Sequence, residues 1–331
     1  MARIGNELVG DLQASTPEVR IGLTRAGVTG VHKAIKIRHD GREKTFAAEI
    51  SCTVDLDPAF KGVHMSRFTE SFNSMIFGEA VDEVVIGEAF LVETLAEHIA
   101  GHIVRRQDAL RAEVQIRAQY PLERRTPVTG LATQEIATLI GIAAASPSTV
   151  RRVVGVEAWG INACPCAQGL VRGAAADRLL EAGFGDDDVE RILELVPLAT
   201  HNQRGKGTLL VGTEAKVNAE HLVGIVERSM SSPIYELLKR PDELFVVEHA
   251  HLQPRFVEDS VRHSLAATLE RYPALDDSDF LYAQQVNVET IHRHDVLAER
   301  SSTVGELRAE LAGRPASMPV ELREWLRTPP A

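Results

Sequence analysis

Short runs that mix polar with β-branched residues recur along this chain, and they limit its fold more than any other feature. In the first half they lie at 19–23, 30–38, 45–54, 84–90, 113–120 and 133–145. Such runs predict antiparallel strands. Residues 94–106 place apolar side chains at helical spacing, which predicts one helix of about three turns.

The second half repeats this plan with more helices. Strands are predicted at 150–159, 209–211 and 281–288, a loop at 160–168, and helices at 172–182, 186–195, 218–230 and 257–270. Two successive sets of strands and helices predict an α+β protein with two modules, 1–149 and 150–300. The tail, 301–331, combines a weak helical pattern with several prolines, so its order is left open.

Composition narrows the class of protein. With 331 residues, 44% of them hydrophobic and 25% charged, we expect a folded soluble protein. The net charge of -11 argues against broad attraction to nucleic acid or anionic membranes, so any phosphate must be bound by local cations. Neither a membrane span nor an export signal is predicted. Three cysteines do not suit a disulfide scaffold, and we expect a reducing cytoplasm.

Two polar clusters contain side chains that bind metals or phosphate. Residues 162–168 hold Cys164 and Cys166 on either side of a proline. The alternative is a pair of buried apolar cysteines. Residues 200–207 combine imidazole, guanidinium and ammonium groups between glycines, a set that suits a metal and a phosphate. The alternative here is a solvated turn.

Two further clusters contain paired histidines. Residues 289–294, if extended, place His292 and His294 on one face for metal ligation or proton transfer, and the alternative is a solvated strand end. His98 and His102 lie four residues apart in the predicted helix, as in a zinc metalloprotease. That motif needs a glutamate directly after the first histidine, whereas Glu97 precedes it, so we favour a structural helix.

Seven motifs occur in the order in which the type IB GTP cyclohydrolases have them, and together they resemble that family, including its archaeal iron-dependent branch. They lie at 17–25, 62–68, 164–166, 201–204, 237–243, 256–259 and 289–294. The resemblance implies a tunnelling fold, in which two tandem modules of antiparallel sheet carry helices on one side. It also implies association into a homodimer or homotetramer, with active sites between subunits.

The activity that the resemblance implies is hydrolysis of GTP at C8 of guanine. Formate is released and a dihydropterin ring closes, as the first step of folate, methanopterin or related pterin biosynthesis. The partners expected are therefore GTP and further copies of the chain, and neither nucleic acid nor a membrane.

The resemblance implies a metal site made by Cys164, His201 and Glu243. A thiolate, an imidazole and a carboxylate suit one divalent metal per subunit and leave positions open for water. Fe(II) is favoured, and Mn(II) or Zn(II) would also suit these ligands. A cation held there lowers the pKa of water for attack on C8.

Proton transfer is assigned by the same resemblance to residues around this site. Cys166 is expected to face the substrate, and His292 and His294 are expected to move protons, with Glu289 orienting one of the two imidazoles. Alternatively, His292 completes the metal shell.

Substrate contacts follow from two of the motifs. Glu258 resembles the glutamate that accepts hydrogen bonds from the guanine edge in tunnelling-fold enzymes, and the alternative is an ordinary acid in the first turn of a helix. The groups expected to bind the triphosphate are Arg67, Arg204, Lys206, His64 and Ser66.

The spacing of two ligands bears on the product. Cys164 and His201 lie 37 residues apart, much further than in the bacterial folate-pathway enzymes, and the helices between them resemble the archaeal branch. The resemblance implies dihydroneopterin triphosphate as the family-wide product and a 2′,3′-cyclic phosphate as the product of the archaeal branch, so the product stays open between the two. The alternative function is a non-catalytic metal- or purine-binding protein of the same fold, but the presence of Cys166, His292 and His294 favours an enzyme.

Overall fold

The computed structural model describes residues 11–39, 42–77, 91–315 and 318–329. Its strands are β1 Leu23–His39, β2 Arg42–Leu56, β3 Ala112–Arg125, β4 Ala132–Ala145, β5 Val150–Ala163, β6 Asn202–Gly212, β7 Ser232–Pro233, β8 Phe280–Val288 and β9 Val296–Thr303. Its helices are α1 Met65–Phe77, α2 Val92–Gln107, α3 Pro165–Glu181, α4 Asp186–Leu195, α5 Ala219–Ser229, α6 Arg240–Leu252, α7 Val257–Arg271, α8 Val304–Leu311 and α9 Leu322–Arg327.

The strands of the described residues form a sheet in the order β1-β2-β3-β4-β5-β6-β8-β9, and β7 pairs with β5. Neighbouring strands run antiparallel, for example β6 against β8 and β8 against β9. The predicted α+β class, an antiparallel sheet with helices on one side, is confirmed. None of the described helices is both long and apolar enough to span a bilayer.

Packing divides the chain into two compact units. Unit 1 comprises residues 1–119, 139–154 and 323–331, and unit 2 comprises 120–138 and 155–322. The predicted module boundaries, after residues 149 and 300, stay a prediction.

In unit 1 the helix predicted at 94–106 is present as α2. Leu95, Ile99 and Ile103 recur every four residues and are buried. The helix begins so close to β4 that a Cβ at Gly141 would collide with the carbonyl group of Val92. Glycine is therefore required there for the helix to approach the sheet.

In unit 2 the helices α5 and α7 pack on each other and on β6 and β8. Leu222 and Ile225 of α5 and Leu265 of α7 are buried in this core. Both helices agree with the sequence prediction to within a few residues. The end of β5, the start of β6 and the end of β8 carry the predicted motifs at 164–166, 201–204 and 289–294.

Several local predictions need correction. Residues 19–22 are not a strand, because β1 begins only at Leu23, and Val19 and Ile21 are exposed. The predicted loop at 160–168 is also wrong, since β5 continues to Ala163 and α3 begins at Pro165. The strand predicted at 84–90 lies outside the described residues.

Two helices, α8 and α9, lie in the described part of the tail. Thr303 caps α8 by accepting a hydrogen bond from the N–H of Glu306. In unit 1 the buried Arg151 donates hydrogen bonds to the carbonyls of Thr328 and Pro329, both at 2.7 Å, and stacks over the ring of Trp325 at 4.3 Å. These contacts hold the tail where the sequence pattern was weak.

Candidate active site

The two motif cysteines lie at the junction of β5 and α3. Cys164 is the N-cap of α3, and its sulfur accepts a hydrogen bond from the N–H of Ala167 at 3.4 Å. Pro165 follows at the first helical position, where its missing N–H costs nothing. Cys166 lies exposed in the first turn. The proline thus starts the helix and separates one partly buried thiol from one exposed thiol.

Backbone hydrogen bonds bring the next motif to Cys164. The N–H of Cys164 donates to the carbonyl of His201 at 3.2 Å, and the hydroxyl of Thr200 donates to the carbonyl of Cys164 at 3.2 Å. These bonds connect residues 37 and 36 positions apart in the sequence. The sequence-predicted neighbours Cys164 and His201 are therefore adjacent in the structure.

Glu289 approaches the same point from the end of β8. The hydroxyl of Thr290 donates to the carbonyl of Asn202 at 3.2 Å, which ties this segment to the start of β6. His201 Nδ1 lies 3.9 Å from Glu289 Oε2, and among the described residues neither buried atom has a hydrogen-bond partner. We expected Glu289 to orient His292 or His294, whereas the carboxylate faces His201.

The chemistry of the donors in this pair of motifs suits a divalent cation. Cys164 and His201 supply a thiol and an imidazole, and the buried Nδ1 of His201 and Oε2 of Glu289 have no hydrogen-bond partner among the described residues. A carboxylate behind a ligating imidazole is the usual arrangement in metal sites. Within the described ranges, however, no three His, Cys, Asp or Glu side chains form a group that could hold a metal ion. Cys164 and His201 would hold the metal, and Glu243 as a third ligand stays a prediction.

Glu243 lies exposed in the first turn of α6, directly after the buried Asp242. Asp242 accepts hydrogen bonds from the N–H groups of Val128 and Thr129 at 2.9 Å, from Thr129 Oγ1 at 2.7 Å and from the N–H of Lys239 at 3.0 Å. Burial raises the pKa of Asp242, but these bonds outweigh it and hold the pKa well below its usual range. The carboxylate therefore anchors the turn that presents Glu243.

The sequence analysis missed Asp242. An acid at the third position of a helix, just after a proline, is a recognisable capping signal, and it predicts a bond to the N-cap N–H. Its bonds to the turn between β3 and β4, more than a hundred residues away in sequence, carry no such local signal.

His292 and His294 are neighbours, although their segment is not extended. Residues 290–294 form bends between β8 and β9, so the expected strand geometry is wrong. The two rings nevertheless stack, with centroids 5.1 Å apart and planes 15° apart. Both side chains are exposed, so they are available to a substrate.

Arg204 and Lys206 lie on β6 beside Trp159 of β5. The Arg204 guanidinium lies 4.9 Å from the ring centroid and the Lys206 ammonium 5.9 Å. Lys206 also lies 3.7 Å from Glu157, whereas Arg204 is exposed. Arg204 is thus the more accessible of the two cations, and phosphate binding by either stays a prediction. Trp159, which the sequence analysis missed, orders both cations.

Glu258 lies exposed in the first turn of α7 and lines a pocket of about 400 Å³. Val261 and Leu265 of α7 and Leu307 of α8 form its apolar wall, and Arg300 of β9 adds a charge. Charged and apolar side chains thus line this pocket together, and the contact of Glu258 with guanine stays a prediction.

His64, Ser66 and Arg67 belong to unit 1. His64 Nε2 lies 3.2 Å from Asp11 Oδ2, and Arg67 Nη1 donates to the carbonyl of Arg106 at 3.2 Å. Ser66 is exposed in the first turn of α1. Their contact with a triphosphate stays a prediction.

Comparison with known proteins decides the family. The family model described as type I GTP cyclohydrolase folE2 matches residues 9–298. The chain belongs to this family. Its activity is therefore that of a GTP cyclohydrolase.

Relatives of this GTP cyclohydrolase include archaeal proteins of nearly the same length. It is 40% identical over 310 residues to GTP cyclohydrolase MptA of Methanococcus aeolicus. The aligned region covers 91% of this chain and 99% of that protein. It is 40% identical over 309 residues to GTP cyclohydrolase MptA of Methanothermobacter thermautotrophicus, at 91% and 95% coverage. Among solved structures, uricase from Arthrobacter globiformis aligns with a TM-score of 0.48 and 11% identity, covering 92% of this chain and 99% of uricase.

Proposed function

We propose that this GTP cyclohydrolase is metal-dependent and that it hydrolyses GTP at C8 of guanine with release of formate. The observation that carries the proposal is the meeting of three motifs: the backbone bond from Cys164 to His201, and the approach of Glu289 Oε2 to His201 Nδ1 at 3.9 Å. Cys164 and His201 supply a thiol and an imidazole as donors for a divalent metal, Glu243 is proposed as the third donor, and Fe(II) is favoured over Mn(II) or Zn(II).

The metal, when bound, supplies a lowered pKa for the attacking water. Glu289 orients His201 from behind, and Cys166, exposed one residue beyond Pro165, exchanges protons with the opening imidazole ring. His292 and His294 act as two further proton carriers. Glu258 accepts hydrogen bonds from the N–H edge of guanine, which positions C8 for attack.

The product that we favour is the 2′,3′-cyclic phosphate of dihydroneopterin. Its support is the pair of helices α3 and α4, which lie between Cys164 and His201 and resemble the archaeal branch of the family. The resemblance to the archaeal enzymes named GTP cyclohydrolase MptA further supports this choice. We also propose a cytoplasmic homodimer or homotetramer, with no nucleic acid or membrane partner.

The test is an anaerobic incubation of metal-free protein with GTP after separate addition of Fe(II), Mn(II) or Zn(II). Formate together with a pterin supports the reaction, and the mass of the pterin distinguishes the cyclic phosphate from the triphosphate. The Cys166→Ala variant is the matched control. It keeps the Cys164 thiol and should still bind the metal, but it should release no formate. Folded protein that binds GTP but releases no formate with any metal would instead support the binding-only alternative. Light scattering after size exclusion tests the oligomer.

A further inference from the structure

A buried polar network lies directly beneath the candidate active site in unit 2. Its centre is Asn162, whose side chain is fully buried near the end of β5. Asn162 Nδ2 donates to Ser260 Oγ at 3.2 Å and to Asn287 Oδ1 at 3.0 Å, and Asn162 Oδ1 accepts from the N–H of Ser231 at 3.1 Å. One amide thus uses both of its N–H groups and its oxygen on three separate chain segments.

The partners of Asn162 lie on the segments that carry the predicted site residues. Cys164 follows Asn162 by two positions, Glu258 precedes Ser260 by two, and Glu289 follows Asn287 by two. We propose that Asn162 is a positioning residue that holds Cys164, Glu258 and Glu289 in register for the cyclohydrolase reaction. This inference rests on the proposed roles of those three residues.

Further contacts make the network rigid. Ser231 Oγ accepts from the N–H of Ala163 at 3.1 Å, and Asn287 Oδ1 also accepts from Gln285 Nε2 at 3.0 Å. On β6, a Cβ at Gly205 would collide with Gln285 Nε2 and lie 3.0 Å from Asn287 Oδ1. The absence of a side chain at Gly205 therefore makes room for the amides of Gln285 and Asn287. A fully satisfied buried network of this kind specifies a single arrangement of the segments it joins.

Removal of the amide is expected to move the site rather than merely weaken the fold. In Asn162→Leu the N–H of Ser231, the hydroxyl of Ser260 and the amide of Asn287 lose their shared partner. A shift of about 1 Å in a catalytic group can cost about a hundredfold in rate. We expect kcat/KM to fall about a hundredfold and the Kd for GTP of metal-free protein to rise about tenfold.

Ser260→Ala is a milder change than Asn162→Leu, because it removes one hydroxyl from the network and leaves a side chain of nearly the same size. Thr268→Val is the matched control on the same helix, because Thr268 is fully buried and its hydroxyl donates to the carbonyl of Ser264 at 2.7 Å. All variants are compared by urea unfolding, by GTP titration of metal-free protein and by kcat and KM with metal. The expected order of loss in GTP affinity is Asn162→Leu, then Ser260→Ala, with Thr268→Val close to the wild type.

Equal GTP affinity and equal turnover in Ser260→Ala and Thr268→Val, at matched stability, would refute the proposal even if Asn162→Leu does not fold. Glu258→Gln separates this result from the proposed function. If that variant binds GTP as the wild type does, the guanine contact is refuted, whereas a loss of turnover in Ser260→Ala but not in Thr268→Val still supports the network.

Discussion

Glu93 provides the prediction with the best-defined magnitude. Its carboxyl group is buried in the first turn of α2, and burial raises its pKa to about 7. Arg152 offsets part of this increase, but its guanidinium bonds to Glu97 at 3.0 Å. The fold therefore favours the neutral acid and is penalised when Glu93 ionises.

The pKa difference determines the size and sign of the effect. The pKa rises from 4.5 in the unfolded chain to about 7 in the fold, so stability is lost as the pH rises through this interval. The loss is about 1 kcal/mol at pH 5 and about 3 kcal/mol at pH 8, at about 1.4 kcal/mol for each pKa unit. Glu93→Gln cannot ionise, so it should be more stable than the wild type by about 3 kcal/mol at pH 8.

The assay is urea unfolding of both proteins between pH 5 and pH 8.5, followed by circular dichroism and by tryptophan fluorescence so that separate transitions are recognised. Glu248→Gln, at an exposed position on α6, is the control for removing a negative charge. A stability difference between Glu93→Gln and the wild type that does not grow with pH would refute the reasoning.

Three further predictions concern the site. Cys166→Ala should retain metal but lose turnover by at least about a hundredfold, whereas His201→Ala should lose metal affinity and turnover together. Metal titration that finds the same loss of affinity in both variants would contradict these roles. Glu258→Gln should raise the Kd for GTP about tenfold, because an amide N–H would face the guanine donors, and calorimetry with unchanged affinity would argue against the contact. Thr129→Val removes the hydroxyl that donates to Asp242, so it should lower the urea midpoint and weaken metal binding. Thr129→Ser keeps the hydroxyl and should behave as the wild type. Identical midpoints in the two variants would refute the anchoring role of Asp242.

The sequence predicted most helices and strands because their patterns are local. The spacing of Leu95, Ile99 and Ile103 in α2 requires no knowledge of the partner surface. The start of α3 was misjudged, since the apolar run of β5 continues to Ala163 and a proline reads equally as a loop residue or as the first residue of a helix. The bends at 290–294 were misjudged for a similar reason, because alternation is visible in a sequence and a bend is not.

By itself the sequence determined the α+β class, the family, and the residue types that could hold a metal, because these follow from local periodicity and from the order of short motifs. Only the tertiary structure decided which of these residues meet. It placed Glu289 against His201 rather than against His292 or His294, and it placed Asn162 beneath the site. Such contacts join strand ends that are far apart in the chain, and they depend on strand order and register, to which no local pattern is sensitive.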